Sequence, residues 1–254
     1  MRTHDPVRAG DKPASRRGRS FSAPAAPAGR AVAARWHRAR LDPDVAEERF
    51  LRCHGHRFVA GVDEVGRGCL AGPVIAGAVI LEPGWAPSGL RDSKLLRRGE
   101  RDRLDGEIRA HAVAWAIGIV EPGVIDRLNI LRATLLASQL AVARLPVRPD
   151  ALLLDAIDIP HLHVTQRALV AADRLCVSVA AASVVAKVAR DRLMDLYDIE
   201  YPAYGFARNR GYATAEHRAA IRAHGASPIH RRSFLGAYEP SDLDRPTLWP
   251  VNEE

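Results

Sequence analysis

Residues 61–68, with the sequence GVDEVGRG, constrain the architecture of this chain more than any other segment. An apolar run leads into two adjacent carboxylates, Asp63 and Glu64, and glycines follow at once. The run predicts a short strand that ends in acids. Because successive side chains on a strand point to opposite faces, both acids can serve one site only if the strand has begun to bend at Glu64. Gly66 and Gly68 would permit that bend.

A second apolar run also ends in an acid. Residues 151–155, ALLLD, predict a strand with Asp155 at its end. Acids brought together from two strand ends repel one another unless divalent cations hold them, and their hard oxygen atoms suit Mg²⁺ or Mn²⁺. A strand-end turn residue is an equally good interpretation of Asp155 taken alone. For Asp63 and Glu64, the glycine context favours a metal site.

The remaining pattern predicts an α/β fold with a mixed sheet. Strands that come first and then alternate with helices are typical of that class. Pro146 ends one predicted helix, and Thr214 caps another that stops at Gly225. Strands are predicted at 58–63, 74–81, 112–120 and 151–155, and helices at 44–52, from the cap Asp92-Ser93 to about 111, and at 130–145, 175–197 and 214–225.

Positive charge is concentrated in the first 41 residues. They hold ten Lys or Arg and two Asp or Glu, whereas the whole chain holds 37 and 30, which leaves 27 basic and 28 acidic residues for the remainder. The net charge of +7 is therefore a property of the N-terminal segment. The rest of the chain must attract phosphates through local clusters and metals.

We expect three segments along the chain. Residues 1–42, rich in Ala, Pro, Arg, Gly and Ser, predict a disordered basic extension, residues 43–240 one catalytic domain, and residues 241–254 an irregular tail. The extension could hold nucleic acid loosely, could result from a start codon placed too early, or could be an organellar transit peptide. These alternatives stay open.

Cysteine content and hydropathy exclude several classes of protein. Three cysteines without a CxxC pair argue against a disulfide framework and a structural zinc site, and they fit a reducing compartment. No apolar run reaches the ~18 residues of a membrane-spanning helix. We therefore expect a cytoplasmic protein without a membrane partner.

Several motifs together resemble ribonuclease HII. The stretch 59–74, VAGVDEVGRGCLAGPV, looks like the signature of that family. The resemblance implies a ribonuclease H-like fold, with a mixed central sheet flanked by helices and a small C-terminal helical segment. Further motifs occur in the family's order over residues 44–235: DSK at 92–94, DRLNIL at 126–131, Asp155 at a strand end, AASVVAKV at 181–188 followed by RD at 190–191, RGY at 210–212 and SPIHR at 227–231.

The resemblance also implies a metal-dependent endoribonuclease whose four catalytic carboxylates hold two divalent cations, Mn²⁺ or Mg²⁺. The fourth carboxylate of the family lies ten residues before Ser183. Family members commonly carry a lysine or similar polar residue and a glycine just before it, where this chain has two alanines at 171–172. The four catalytic and metal-binding carboxylates match Asp63, Glu64, Asp155 and Asp173.

Two other acids compete for these assignments. Asp191 shares a predicted helix face with Lys187, where an i,i+4 ion pair is the simpler interpretation. Asp158 is a substitute for Asp155, although it follows the predicted strand rather than ending it.

The activity that the resemblance implies is hydrolysis of the RNA strand of RNA–DNA hybrids and incision 5′ of ribonucleotides embedded in duplex DNA. The products would carry a 3′ hydroxyl and a 5′ phosphate, and the activity would serve ribonucleotide excision repair and primer removal in DNA replication. Asp63 is the candidate to bridge both cations. The family usually works as a monomer, and a sliding clamp is left open as a partner.

Substrate recognition is implied for a turn, a lysine and a tyrosine. The exposed backbone of Gly66-Arg67-Gly68 could recognise the 2′-hydroxyl that distinguishes RNA from DNA. Tyr212 matches a family tyrosine that stacks on the next sugar, although a buried core tyrosine would fit the same pattern. Lys94 and four arginines are candidate phosphate contacts, and three histidines are expected on helix surfaces or at caps: Arg208, Arg210, Arg231 and Arg232, and His217, His224 and His230.

Two alternative functions remain at this point. Type 3 ribonuclease H is related, but it usually carries an additional N-terminal domain that residues 1–42 do not supply. A catalytically silent nucleic-acid-binding protein could keep the same fold, yet all four carboxylates are present here. Cleavage that requires Mg²⁺ or Mn²⁺ distinguishes a nuclease from a binding module.

Overall fold

The computed structural model describes residues 43–91 and 93–236. The predicted extension at 1–42, the predicted tail at 241–254 and the predicted cap residue Asp92 lie outside the described residues. Within the described part, no helix has the length and apolar character that crossing a membrane requires.

The centre of the fold is a mixed five-stranded sheet in the order β3-β2-β1-β4-β5. β2 pairs antiparallel with β1 and β3, whereas β4 pairs in parallel with β1 and β5. The predicted α/β class with a mixed sheet is therefore confirmed. The strands are β1 (Val59–Val65), β2 (Val74–Ile80), β3 (Ala114–Val120), β4 (Ala151–Asp155) and β5 (Thr165–Leu169).

The sequence does not predict β5. This strand lies at the edge of the sheet, and its side chains are half-buried or exposed. Edge strands tolerate polar side chains, so its sequence TQRAL contains no apolar run. The Gln166 side chain instead accepts from the Ile159 amide at 2.7 Å and donates to the Ile159 carbonyl at 2.9 Å, which fixes the preceding loop.

Helices cover both faces of the sheet, with α4 in one apolar layer and α5 in the other. α2 begins at Arg98, later than predicted, because the Glu100 side chain accepts from the Arg97 amide at 2.8 Å and so caps the helix there. The helices are α1 (Ala46–Cys53), α2 (Arg98–His111), α3 (Pro122–Leu128), α4 (Ile130–Ala143), α5 (Val177–Glu200), α6 (Phe206–Asn209), α7 (Ala215–His224) and α8 (Arg232–Leu235).

Glycines allow α5 to lie directly on the sheet. A Cβ atom at Gly61 in β1 would overlap the backbone of Ser178 and Val179, and one at Gly77 in β2 would overlap the backbone of Ala182. The helix backbone therefore touches the strand backbone next to the acidic end of β1. A side chain at either position would force the two apart.

The predicted C-terminal helical segment is confirmed and has an apolar core of its own. Tyr204, Phe206, Ile221 and Leu235 pack there with Leu70 from the segment that follows β1. Thr214 caps α7 as predicted, since its side chain accepts from the His217 amide at 3.1 Å. The C-terminal segment is thus packed against the loop between β1 and β2.

Two of the three histidines in this segment are buried, contrary to the prediction. His217 and His230 are 0% and 2% exposed, and their Nε2 atoms lie 3.0 Å apart. The Ser227 amide donates to Nδ1 of His230, and Nδ1 of His217 donates to the carbonyl of Tyr212. An amide only donates and a carbonyl only accepts, so His230 must donate to His217 and both rings must be neutral. His224 is half-buried.

We expect this pair to weaken the fold in mild acid. Burial, followed by the proximity of His217, lowers the pKa of His230 to about 3, and burial lowers the pKa of His217. Below about pH 6.5 these two histidines are therefore protonated in the unfolded chain but stay neutral in the folded chain. The free energy of unfolding therefore decreases as the pH falls. Asp63, whose pKa is raised, acts in the opposite sense. Asp63 is present in both wild type and a His230 variant, so its contribution cancels when the free energies of unfolding of the two proteins are subtracted.

The measurement is urea unfolding of wild type and His230→Gln at pH 7.5 and pH 5. The stability advantage of the wild type should shrink by about 1–2 kcal/mol at the lower pH. An advantage that stays constant between the two pH values would contradict the assignment of a neutral pair.

Candidate active site

Asp63 is the most deeply placed acid at the end of β1. It is 7% exposed, its Oδ1 accepts from the Glu64 amide at 2.8 Å, and its carboxyl group is hydrogen-bonded to the hydroxyl of Ser183 in α5. Burial, followed by the charge of Glu64 and then that of Asp155, raises the pKa of Asp63 to about 8. The negative charges here are close enough to oppose one another.

Glu64 does not lie at a bend, so that prediction is wrong. β1 continues in register with β2 through the pair Val65 and Ile75. The alternation of the strand therefore places Glu64 on the face opposite to Asp63, where it lines a cavity with α4. Its Oε1 lies 2.9 Å from Nη1 of Arg67.

Asp155 connects the two faces. It is the last residue of β4, and the parallel register that pairs Val62 with Leu154 brings Asp155 next to Asp63. Asp155 and Glu64 line the same cavity. Asp158 is exposed in the loop that follows. The ends of β1 and β4 thus place Asp155 next to Asp63 and beside the cavity that Glu64 lines, while Asp63 and Glu64 lie on opposite faces of β1.

Asp173 lies in a short 3-10 turn, Ala172–Arg174, between β5 and α5. It is 5% exposed, and the amide of its neighbour Ala172 donates to Oδ1 of Asp155 at 3.0 Å. The turn is entered through Ala171, which has a left-handed φ of 58°. The fourth predicted acid is therefore held beside the third.

Asp191, the competing candidate, is surrounded by positive charge. It pairs with Lys187 as predicted, and its carboxylate oxygens lie 3.4 Å from Arg101 and 3.9 Å from Arg210. Because three cations already surround this carboxylate, we expect Asp191 to have a structural role.

The four acids fit a hard divalent cation by their chemistry. All donors are carboxylate oxygens, and burial, followed by the neighbouring negative charges of Glu64 and Asp155, raises the pKa of Asp63. In the described residues, no three His, Cys, Asp or Glu side chains are arranged to hold an ion. Local donors hold three of the acids: the Glu64 amide holds Asp63, Arg67 holds Glu64, and the Ala172 amide holds Asp155.

Of the two glycines in the turn after β1, only Gly66 is required by the space and the backbone conformation at its position. Gly66 has a φ of 92°, and a Cβ there would overlap the Arg190 side chain, whereas Gly68 has open space around it. Arg67 is exposed and pairs with Glu64. Arg231, predicted to contact phosphate, is instead fully buried and donates to carbonyls of this turn.

The other predicted arginines and Lys94 lie nearer the surface. Arg210 is half-buried and pairs with Asp195 at 2.6 Å, while Arg208 is exposed and pairs with Glu216. Arg232 is exposed at the start of α8. Lys94 is exposed directly after Ser93, whose hydroxyl lies 2.9 Å from that of Ser183.

Tyr212 is half-exposed next to the Gly66-Arg67-Gly68 turn. The amide of Leu70 donates to the carbonyl of Gly211 at 2.8 Å, which ties the two segments together. The phenol is hydrogen-bonded to the side chain of Cys69, and burial followed by that neighbour raises the pKa of Tyr212. A buried core tyrosine, the alternative interpretation, is excluded by its 43% exposure.

The sequence reasoning missed three side chains that support this site. Ser183 contacts Asp63, Cys69 contacts Tyr212, and Arg190 lies beneath Gly66. Each lies inside or beside a motif quoted above, but spacing alone does not show which side chains turn inward.

Comparison with known proteins shows the family to which the chain belongs. The family model described as Ribonuclease HII matches residues 60–237. Ribonuclease HII of Desulfitobacterium hafniense is 48% identical over 80% of this chain and 78% of its own length. Ribonuclease HII of Syntrophus aciditrophicus is 51% identical over 77% of this chain and 92% of its own.

A solved structure is also similar. Ribonuclease H2 from Pyrococcus horikoshii superimposes with a TM-score of 0.60 at 25% identity, covering 70% of this chain and 93% of its own. The predicted ribonuclease H-like fold is thereby confirmed. The chain belongs to the ribonuclease HII family and is a ribonuclease H enzyme, which cleaves the RNA strand of RNA–DNA hybrids.

Proposed function

We propose that this ribonuclease also incises duplex DNA on the 5′ side of a single embedded ribonucleotide, with two divalent cations held by its four acids. The observation that carries the proposal is the position of Tyr212. Its phenol contacts Cys69, and the carbonyl of Gly211 accepts from the amide of Leu70, so Tyr212 is tied to the segment directly after the turn at residues 66–68. One surface would therefore hold the cleavage site, the contacts for the sugar of the ribonucleotide and the contacts for the next nucleotide.

Asp63, Glu64, Asp155 and Asp173 would hold the cations, Mn²⁺ or Mg²⁺. When bound, the cations activate a water molecule and stabilise the charge on the departing 3′ oxygen. We expect Asp63 to contribute to both cation sites, because the charges of Glu64 and Asp155 both act on its carboxyl group. Arg67 is paired with Oε1 of Glu64 and would compete with a cation for that oxygen.

The chain's own residues supply orientation. Ser183 donates to Asp63 and fixes its carboxyl group against α5. The Ala172 amide fixes Asp155 in the same way. Acids held by such contacts lose little freedom when a cation binds, which favours a fixed position for the scissile phosphate.

Discrimination of RNA from DNA is assigned to the backbone of Gly66-Arg67-Gly68, which is exposed at Arg67 and Gly68. Tyr212 would stack on the following sugar and favour a deoxyribonucleotide there. Lys94, exposed beside Ser93, would contact phosphate. We further propose that the protein acts in the cytoplasm as a monomer, within a catalytic domain at 43–240.

The test is cleavage of a DNA duplex that contains one ribonucleotide, compared with a long RNA–DNA hybrid and an all-DNA duplex. We expect one cut on the 5′ side of the ribonucleotide with Mg²⁺ or Mn²⁺ and none with chelator. Products should carry 3′ hydroxyl and 5′ phosphate ends. Cleavage of the hybrid alone would overturn the proposal and leave the family assignment intact.

Replacement of Tyr212 by alanine should affect the two substrates unequally. The loss of one stacking contact should lower kcat/KM for the single-ribonucleotide duplex by about tenfold, while the long hybrid, with many equivalent registers, loses much less. Tyr212→Phe is the matched control, because it keeps the ring and removes only the hydroxyl that contacts Cys69. Equal losses on both substrates would remove Tyr212 from the junction.

A further inference from the structure

Two fully buried arginines lie beneath the loop between β1 and β2. Arg190 in α5 and Arg231 before α8 are each 0% exposed. Among the described residues, neither arginine forms an ion pair with a carboxylate. The guanidinium groups of both donate hydrogen bonds to backbone carbonyls instead. A buried charge without a counter-ion is unfavourable unless carbonyl dipoles surround it. Packing alone does not explain why two charged side chains are buried at this place.

Arg231 holds the turn itself. Its Nη2 donates to the carbonyl of Gly66 at 2.6 Å, and its Nη1 donates to the carbonyl of Arg67 at 2.8 Å. In a planar trans peptide, the carbonyl of one residue and the amide of the next point in opposite directions. Two carbonyls drawn inward therefore turn the amides of Arg67 and Gly68 outward.

These two amides are available to a ligand. Within the described residues, the amides of Arg67 and Gly68 donate to no protein acceptor, and both residues are exposed. A Cβ at Gly68 would meet nothing, so the space in front of the turn is open. The buried positive charge behind the turn strengthens both amides as donors to an oxygen atom.

The remaining donors fix the far end of the loop. Arg231 also donates to the carbonyl of Gly72, and Arg190 donates to those of Ala71 and Pro73. Arg190 donates to the carbonyl of Arg210 as well, two residues before Tyr212. The two guanidinium groups thus connect the turn to the segment that carries the tyrosine.

We propose that Arg231 is a positioning residue for ribonucleotide discrimination: by holding the carbonyls of Gly66 and Arg67, it aims the amides of Arg67 and Gly68 at the 2′ oxygen of the substrate. The inference rests on the proposed function, since it concerns the same turn. The inference also explains why the turn has this orientation, since no side chain within residues 66–68 holds it in place.

The test compares a duplex with one ribonucleotide with a duplex that carries a 2′-fluoro nucleotide at the same position. Fluorine is a poor acceptor, so wild type should prefer the 2′-hydroxyl, and Arg231→Gln and Arg231→Lys should reduce the ratio of the two kcat/KM values about tenfold. Lysine keeps the charge but cannot reproduce the planar fork. Tyr204→Phe removes a buried 3.0 Å hydrogen bond in the same C-terminal segment and should leave the ratio unchanged.

Two outcomes separate the proposals. A wild type that does not cut the single-ribonucleotide duplex overturns the proposed function. A wild type that cuts it, with the same ratio in both Arg231 variants, overturns only the role of Arg231.

Amide hydrogen exchange on the wild type keeps the inference testable if the variants do not fold. The amides of Arg67 and Gly68 should exchange rapidly in the free protein. They should be protected by a bound RNA–DNA hybrid under chelating conditions, and not by a bound DNA duplex. Equal protection by both duplexes would overturn the inference.

Discussion

Asp63→Asn should lower the rate of hybrid cleavage by at least about a thousandfold. Asparagine has the same shape but no charge, so it can keep the contacts with the Glu64 amide and Ser183 while it fails to neutralise a cation. The expected loss is large because the carboxyl group of Asp63 lies close enough to Glu64 and Asp155 to feel both charges, as a ligand of both cations would. Hybrid affinity, measured by fluorescence anisotropy, should change little. Robust cleavage by this variant would remove Asp63 from the site.

The same substitution should not weaken the fold. The pKa of Asp63 is raised to about 8, above its unfolded value, so this group favours folding at low pH and opposes it once the pH rises through 8. With chelator present at pH 9, the asparagine variant should therefore unfold at a higher urea concentration than wild type.

Asp191→Asn is the opposite control. Its carboxylate is held by Lys187, Arg101 and Arg210, so its loss should lower the free energy of unfolding by about 2–3 kcal/mol. Cleavage well below the unfolding temperature should remain within a few-fold of wild type. A thousandfold loss in this variant would make Asp191 the fourth ligand and would displace Asp173.

Gly61→Ala should destabilise the fold strongly. The added methyl group would overlap the backbone of Ser178 and Val179, and backbone cannot move aside as a flexible side chain can. We expect a loss of about 2–3 kcal/mol in the free energy of unfolding by urea titration.

Gly106→Ala is the matched control for this prediction. Gly106 lies inside α2 with nothing near its absent Cβ, so alanine should gain about 0.5–1 kcal/mol from helix propensity. If Gly61→Ala lowered the free energy of unfolding by no more than a few tenths of a kcal/mol, α5 would have to be able to move away from the sheet.

The acids at strand ends were predictable because a local pattern marks them. Asp63 and Asp155 each follow an apolar run, and such runs become buried strands whatever their partners are. Asp173 was different. Its 3-10 turn has no periodic signal, and only the resemblance to ribonuclease HII pointed to it.

The errors concern the direction in which side chains point. His217, His230 and Arg231 are polar, and polar residues usually lie at the surface, yet all three are buried with satisfied hydrogen bonds. Glu64 was placed at a bend because one site seemed to require one face. In the structure Asp155, at the end of β4, lies next to Asp63 and lines the same cavity as Glu64.

The hydrogen bond between Arg231 and Gly66 spans 165 positions of the chain. During synthesis the four acids, which lie between 63 and 173, leave the ribosome well before Arg231 does. A nascent or prematurely ended chain therefore carries its acids without the residue that shapes the turn beside them. Arg231 is translated after all four acids, so on our proposal the turn takes its shape only once that residue has been made.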